Sequence, residues 1–186
     1  MKFIFKLGFA FAFILTACST AASNLPPPGD VVAVFLDHIQ VGEYIQAQEL
    51  LYDDSILPLH EIEDEFHGIF TNISYDIISE EIGENSADVT LRINSVDFSA
   101  VMEDIMSEAF NWIFEDITTA QLSDRIETLL IQKMESDTAP QIQSDVVVTL
   151  LADDGAWRIA ADQDFANALT GGLFSFAEYA GQWLPN

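Results

Sequence analysis

From residue 87 the chain alternates. Ala87, Val89, Leu91 and Ile93 are apolar, and the Asp88, Thr90, Arg92 and Asn94 between them are polar. Successive side chains of a strand point to opposite faces, so a period of two predicts a strand with one dry face and one wet face. The preceding "ISYDIISEEI" and the turn residues "GENS" make it the second half of a hairpin. A second hairpin is predicted by "SDVVVTLL", "ADDG" and "AWRIA", with Asp154-Gly155 as the tight turn. Trp157 and Ile159 then share one face of the last strand, and Arg158 takes the other.

Elsewhere the period is helical. In "VVAVFLDHIQ", Val31, Val34, Phe35 and His38 fall at i, i+3, i+4 and i+7, which predicts one shared face behind an Asp30 N-cap. Gly42 breaks this helix, "EYIQAQELLY" restarts it, and another is expected after Pro58 around "LHEIEDEFHGIF". Between the hairpins, Ser99 is placed to cap "AVMEDIMSEAFNWIFEDI", whose polar side is Asp104, Ser107, Glu108, Asn111 and Glu115. Thr118 and Gln121 form a capping box for "QLSDRIETLLIQKMES", with Leu122, Ile126, Leu129, Leu130 and Met134 along one side. "DQDFANALTGG" predicts a short helix stopped at Gly171-Gly172. An antiparallel sheet with one apolar face must be covered, and the striped helices are the available cover. The expected class is α+β: a curved antiparallel sheet of two hairpins covered by helices.

The N-terminus changes the picture. "MKFIFKLGFAFAFILTAC" has a positive start at Lys2 and Lys6, then an apolar run. That run falls well short of the ~20 residues a spanning helix needs, and it fits the core of a secretory signal. Leu15 stands three residues before Cys18 and a small residue directly precedes it, which resembles a bacterial lipobox. Cys18 is the single cysteine, so no disulfide can form within one copy, and lipidation is the chemistry its position suggests. Two acyl chains on it would provide the dual signal that stable anchoring needs. The expected organisation is a signal peptide over 1–17, a lipidated stalk rich in small residues and prolines over 18–29, an α+β domain over 30–172 and an apolar tail over 173–186.

After cleavage the basic residues are Arg92, Arg125, Lys133 and Arg158, four against 31 acidic ones, a net −27. This excludes nucleic acid as a partner, which would need a basic footprint. It also excludes electrostatic docking on anionic lipid, so the bilayer is expected to hold the chain through its lipid alone. A hydrophobic content of 49% is too high for disorder.

"VVAVFLDHIQVGEYIQAQELL", "VTLLADDGAWRIAADQDFANALTGG" and the lipobox together resemble a group of small Gram-positive extracytoplasmic lipoproteins of unknown function. Their folded part is similar to the nuclear transport factor 2-like (cystatin-like) cone. The resemblance spans residues 30–172 and is carried most by Gly155, Trp157 and Ile159 with the following Asn167-Ala168-Leu169. It implies a fold and an extracytoplasmic, membrane-anchored address, and no chemistry.

Two constellations could carry chemistry. His60, Asp64 and His67 recur at i, i+4 and i+7, one face if the segment is helical, and His and Asp suit zinc. The pattern is not HExxH; Glu61, Glu63 and Glu65 in the same turns could serve hard cations instead, and the simpler reading, which is preferred, is a solvated acidic helix with two ordinary histidines. His38, on the predicted apolar face, could meet Asp97, which continues the inner parity of Ala87 to Ser95, as a general-base pair in a greasy pocket. More often a histidine in such a stripe is a hydrogen-bonded core residue. No phosphate loop or nucleophile elbow is present, and no cofactor is expected. The sequence therefore predicts a non-enzymatic binding or interaction module for an apolar small molecule or a protein partner. The alternatives are a pocket enzyme using His38 and Asp97, or a cation-binding surface protein using the His60–His67 segment.

Overall fold

The computed structural model describes residues 25–61, 67–112, 114–115 and 117–176. The alternation after residue 86 becomes β2 (Ser86–Val96), in which Ala87, Val89, Leu91, Ile93 and Ser95 are buried. It pairs with β1 (Ser74–Ile82) on one side and β3 (Gln141–Asp153) on the other. β4 (Ala156–Ala160) completes an antiparallel sheet of order β1-β2-β3-β4. The β3–β4 turn is tight because Asp154 and Gly155 both adopt positive φ, 46° and 80°, as the mirror-image hairpin turn requires. Val146, Val148 and Leu150 from β3, with Trp157 and Ile159 from β4, extend the dry face.

That face is covered by α1 (Pro28–Gln40) and α6 (Gln163–Thr170), whose Phe35 and Phe165 rings meet at 5.8 Å. Proline at the first turn of α1 needs no N–H there, and the helix starts two residues before the expected Asp30 cap. Its buried face is Val32, Phe35, Leu36 and Ile39, while Val34 is 46% exposed and His38 is half-buried. The expected face of Val31, Val34, Phe35 and His38 was thus one residue out of phase. Both sets have helical spacing; the one that faces the sheet is wholly aliphatic and aromatic. At the other end of the sheet layer, Asp162 caps α6 through the Phe165 N–H (2.8 Å), and Gly171 ends it in the left-handed region at φ 60°.

α2 (Tyr44–Gln48) follows α1 after the turn at Gly42. The continuous helix expected after Pro58 begins instead as a 3-10 turn, Leu59–Glu61; residues 62–66 lie outside the described residues, and α3 (Gly68–Thr71) is one further turn. Leu25 packs against the core and the Pro26 carbonyl accepts the Trp157 Nε1–H at 3.0 Å. The body therefore begins before residue 30, taking in part of the expected stalk.

The two long helices do not cover the sheet as expected. α4 (Phe98–Trp112) and α5 (Thr119–Met134) pack on each other, and α5 reaches the body through α3. α4 buries Val101, Ile105 and Ala109 along one stripe. α5 begins at the capping box: the Gln121 N–H donates to Thr118 Oγ1 (3.2 Å) and the Thr118 N–H to Gln121 Oε1 (2.9 Å). Its apolar side is half-buried, and only Met134 is fully covered. The pair forms an arm rooted where β2 ends and β3 begins.

Candidate functional site

Cys18 lies outside the described residues, as does the tail beyond Phe176. His38 lies in the last turn of α1, and its Nδ1 is 2.6 Å from Glu43 Oε2 across the turn into α2. Asp97 has left the strand. Its N–H donates to the Pro140 carbonyl (2.8 Å), and its carboxylate accepts the Ala100 N–H at 3.0 Å. It caps α4, the role expected of Ser99. His38 and Asp97 each have a different partner and do not bond each other. Parity alone pointed Asp97 inward, but the strand ends at Val96 and the carboxylate goes to the free amide of a helix start.

The His60–His67 constellation divides in the same way. His60 is exposed on the 3-10 turn, and Asp64 lies outside the described residues. His67 accepts or donates at Nδ1 to the Tyr44 hydroxyl, 2.8 Å away, and stands against Gly42. It ties α3 to α2. Among the described residues, no three His, Cys, Asp or Glu side chains converge closely enough to hold a metal ion.

The arm presents a different kind of site. Beside its buried stripe α4 carries a second one: Met106 is 60% exposed, Phe110 62% and Phe114, just past the helix, 79%. The Phe110 and Phe114 rings meet edge to face at 5.6 Å, a favoured aromatic geometry. The stripe has an acidic surround. Glu108 accepts from Lys133 at 2.9 Å and Glu115 from Arg125 at 2.7 Å, while the Arg125 guanidinium lies 5.7 Å from the centre of the Trp112 ring. These ion pairs and the cation–π contact join the two helices across their exposed side. The sequence held a signal for this stripe: α4 has more apolar positions than one buried face can use, and a helix that is apolar over a wide arc must bury the remainder elsewhere.

A groove of about 720 Å³ runs between β3 and α6, with Ile142, Asp145, Val147, Asp162 and Asp164 in its walls. Asp145 is engaged on the outer face by Arg92 at 2.8 and 3.0 Å, and that hydrogen-bonded guanidinium holds its carboxyl below the usual carboxylate range.

No family model matches the chain, and no curated protein matches it. A solved structure from Bacillus subtilis subsp. subtilis str. 168, described as a "putative lipoprotein (ycdA)", superposes with a TM-score of 0.46 at 16% identity. The match covers 77% of this chain and 46% of that one, so the chain spans about half the length of that protein.

Proposed function

We propose that the chain is an extracytoplasmic lipoprotein, anchored through a lipid on Cys18, whose body is a cone of the nuclear transport factor 2-like (cystatin-like) type. In this reading it is a non-enzymatic interaction module, and the α4–α5 arm is the part that meets a protein partner. The observation that carries the proposal is the exposed Met106, Phe110 and Phe114 stripe. Contiguous exposed apolar surface of this kind marks interaction sites, and aromatic residues and methionine are enriched at the cores of protein interfaces.

Geometry supports a partner facing away from the bilayer. The tether enters at Leu25 and Pro26, beside Trp157, and Trp157 pairs with Ala152 near the β3–β4 turn. The arm is rooted at the opposite end of β3, at Gln141. At about 3.3 Å per residue those two points of β3 lie roughly 35 Å apart. Glu103 on the same helix and the strongly acidic charge of the chain also favour a partner with a basic rim over an anionic lipid surface.

The test is the double substitution Phe110→Ser, Phe114→Ser in the full-length chain. The reading expects an unchanged melting temperature, unchanged membrane retention, and loss of chemical cross-links from the chain to another membrane-associated protein. Retention of those cross-links would overturn it.

A further inference from the structure

The sheet has two lateral edges, and they are finished differently. At the β4 edge the Tyr52 N–H donates to the Ile159 carbonyl (2.8 Å) and the Ile159 N–H to the Leu50 carbonyl (2.9 Å), so that edge is covered. The β1 edge is broken by a register shift between Ile77 and Ser79 and carries Asp76, Glu80 and Glu81, devices that deter further pairing. β4, however, is much shorter than β3. Pairing stops at Thr149 opposite Ala160, where the chain turns away into α6. Among the described residues, 141–148 of β3 therefore have β2 on one side and no strand on the other.

The parity of that open stretch can be worked out. Asp153 and Ala156 flank the two-residue turn, so they bond each other, and every second residue of β3 back from Asp153 directs its N–H and C=O toward β4. The Ala152 N–H, which goes to the Asn85 carbonyl on the β2 side, fixes the opposite parity. Continued toward Gln141, the rule leaves the backbone groups of Gln143, Asp145 and Val147 facing the open side. The register with β2 runs without a shift from Gln141 to Leu151, so no bulge interrupts the row. Beside it lies the groove, whose walls include Asp88, Asp145, Asp162 and Asp164 and no Lys or Arg. Asp162 caps α6 and Asp145 holds Arg92, whereas the Asp164 carboxylate makes no hydrogen bond or ion pair among the described residues.

We propose that the open edge of β3 takes an extended, lysine- or arginine-bearing peptide as a fifth strand. Main-chain hydrogen bonds to Gln143, Asp145 and Val147 supply affinity, the half-exposed Val147 and Ile142 supply apolar contact, and Asp164 receives a basic side chain. The proposal rests on the sheet edge and is independent of the arm.

The experiment measures amide hydrogen exchange of the full chain with two probes: a nine-residue peptide alternating lysine with valine and threonine, and its counterpart with glutamate for lysine. The expected result is slowed exchange at residues 143, 145 and 147 with the lysine peptide alone. Val147→Pro should fold, because its N–H faces no strand and edge positions tolerate proline, and should weaken binding about tenfold or more. If that variant does not melt cooperatively, Gln143→Pro takes its place. Asp164→Asn should weaken binding several-fold. Absence of protection at the three amides, equal binding of the glutamate peptide, or undiminished binding by the folded proline variant would each overturn the proposal. So would amides already protected in the chain alone and freed by dilution or by deletion of residues 177–186, which would make the occupant a second copy or the chain's own tail.

Discussion

Trp157 is held from two directions. Its ring is 3% exposed on the inner face beside Ile159, and its indole N–H reaches the Pro26 carbonyl. Arg158, one residue on, points to the other face and is only half-buried. Trp157→Ala should therefore cost about 3–5 kcal/mol, the usual loss when a large aromatic is removed from a core. Arg158→Ala should stay within about 0.5 kcal/mol. Urea melts of the two variants check this, and equal losses would contradict the face assignment. At this scale the strand residues were legible because a period of two allows only two phases, and the polar alternates Asp88, Thr90 and Arg92 choose between them. The helical residues were harder. In α1 two overlapping sets share Phe35 and both have the right spacing, so His38 was assigned to the buried side although Leu36 and Ile39 take it. Asp97 was misread for a different reason: parity says which way a side chain points only while the strand continues, and the cap geometry that ends it depends on the Ala100 amide.

Among the elements, the two hairpins, the Thr118–Gln121 box and the glycine stop of α6 follow from local chemistry that the sequence spells out. What covers the sheet does not. α4 and α5 have apolar stripes as good as those of α1 and α6, and nothing local says that they pair with each other instead of lying on the sheet. Two substitutions separate the roles of these elements. Thr118→Ala removes an N-cap on the arm and should cost about 1 kcal/mol, read in helical circular dichroism as fraying that leaves the sheet intact. Gly171→Ala strikes the body. A Cβ there would stand 1.6 Å from the Val96 carbonyl oxygen, at a backbone φ of 60°, beside the Phe98 N–H that bonds the Gly171 carbonyl at 3.1 Å. The clash cannot be relieved by a side-chain movement, so the loss should be about 3 kcal/mol or more. A thermal melt in which Gly171→Ala proves the milder of the two would mean that α6 does not lock onto the end of β2.

The whole molecule is an acidic body that carries an exposed aromatic stripe on its α4–α5 arm. Its charge of −25 opposes contact with an anionic bilayer and favours encounter with basic partners. Cys18→Ser should block acylation and release the chain from the membrane fraction; a variant that resists carbonate extraction would remove the anchor from the account. The proposed address rests on the first eighteen residues alone, because a signal and a lipobox are read as linear motifs. The excess of apolar positions in α4 was legible too, but which of them stay exposed was not, since the exposure of Met106 and Phe110 depends on how two helices pair. The most direct measurement places a photoactivatable residue at position 110 in the full-length, lipidated chain in its native membrane. The account predicts a discrete protein adduct at that position and none from a control position on the acidic side of α5, Glu127. Adducts with lipid alone, or the same adducts from both positions, would contradict it.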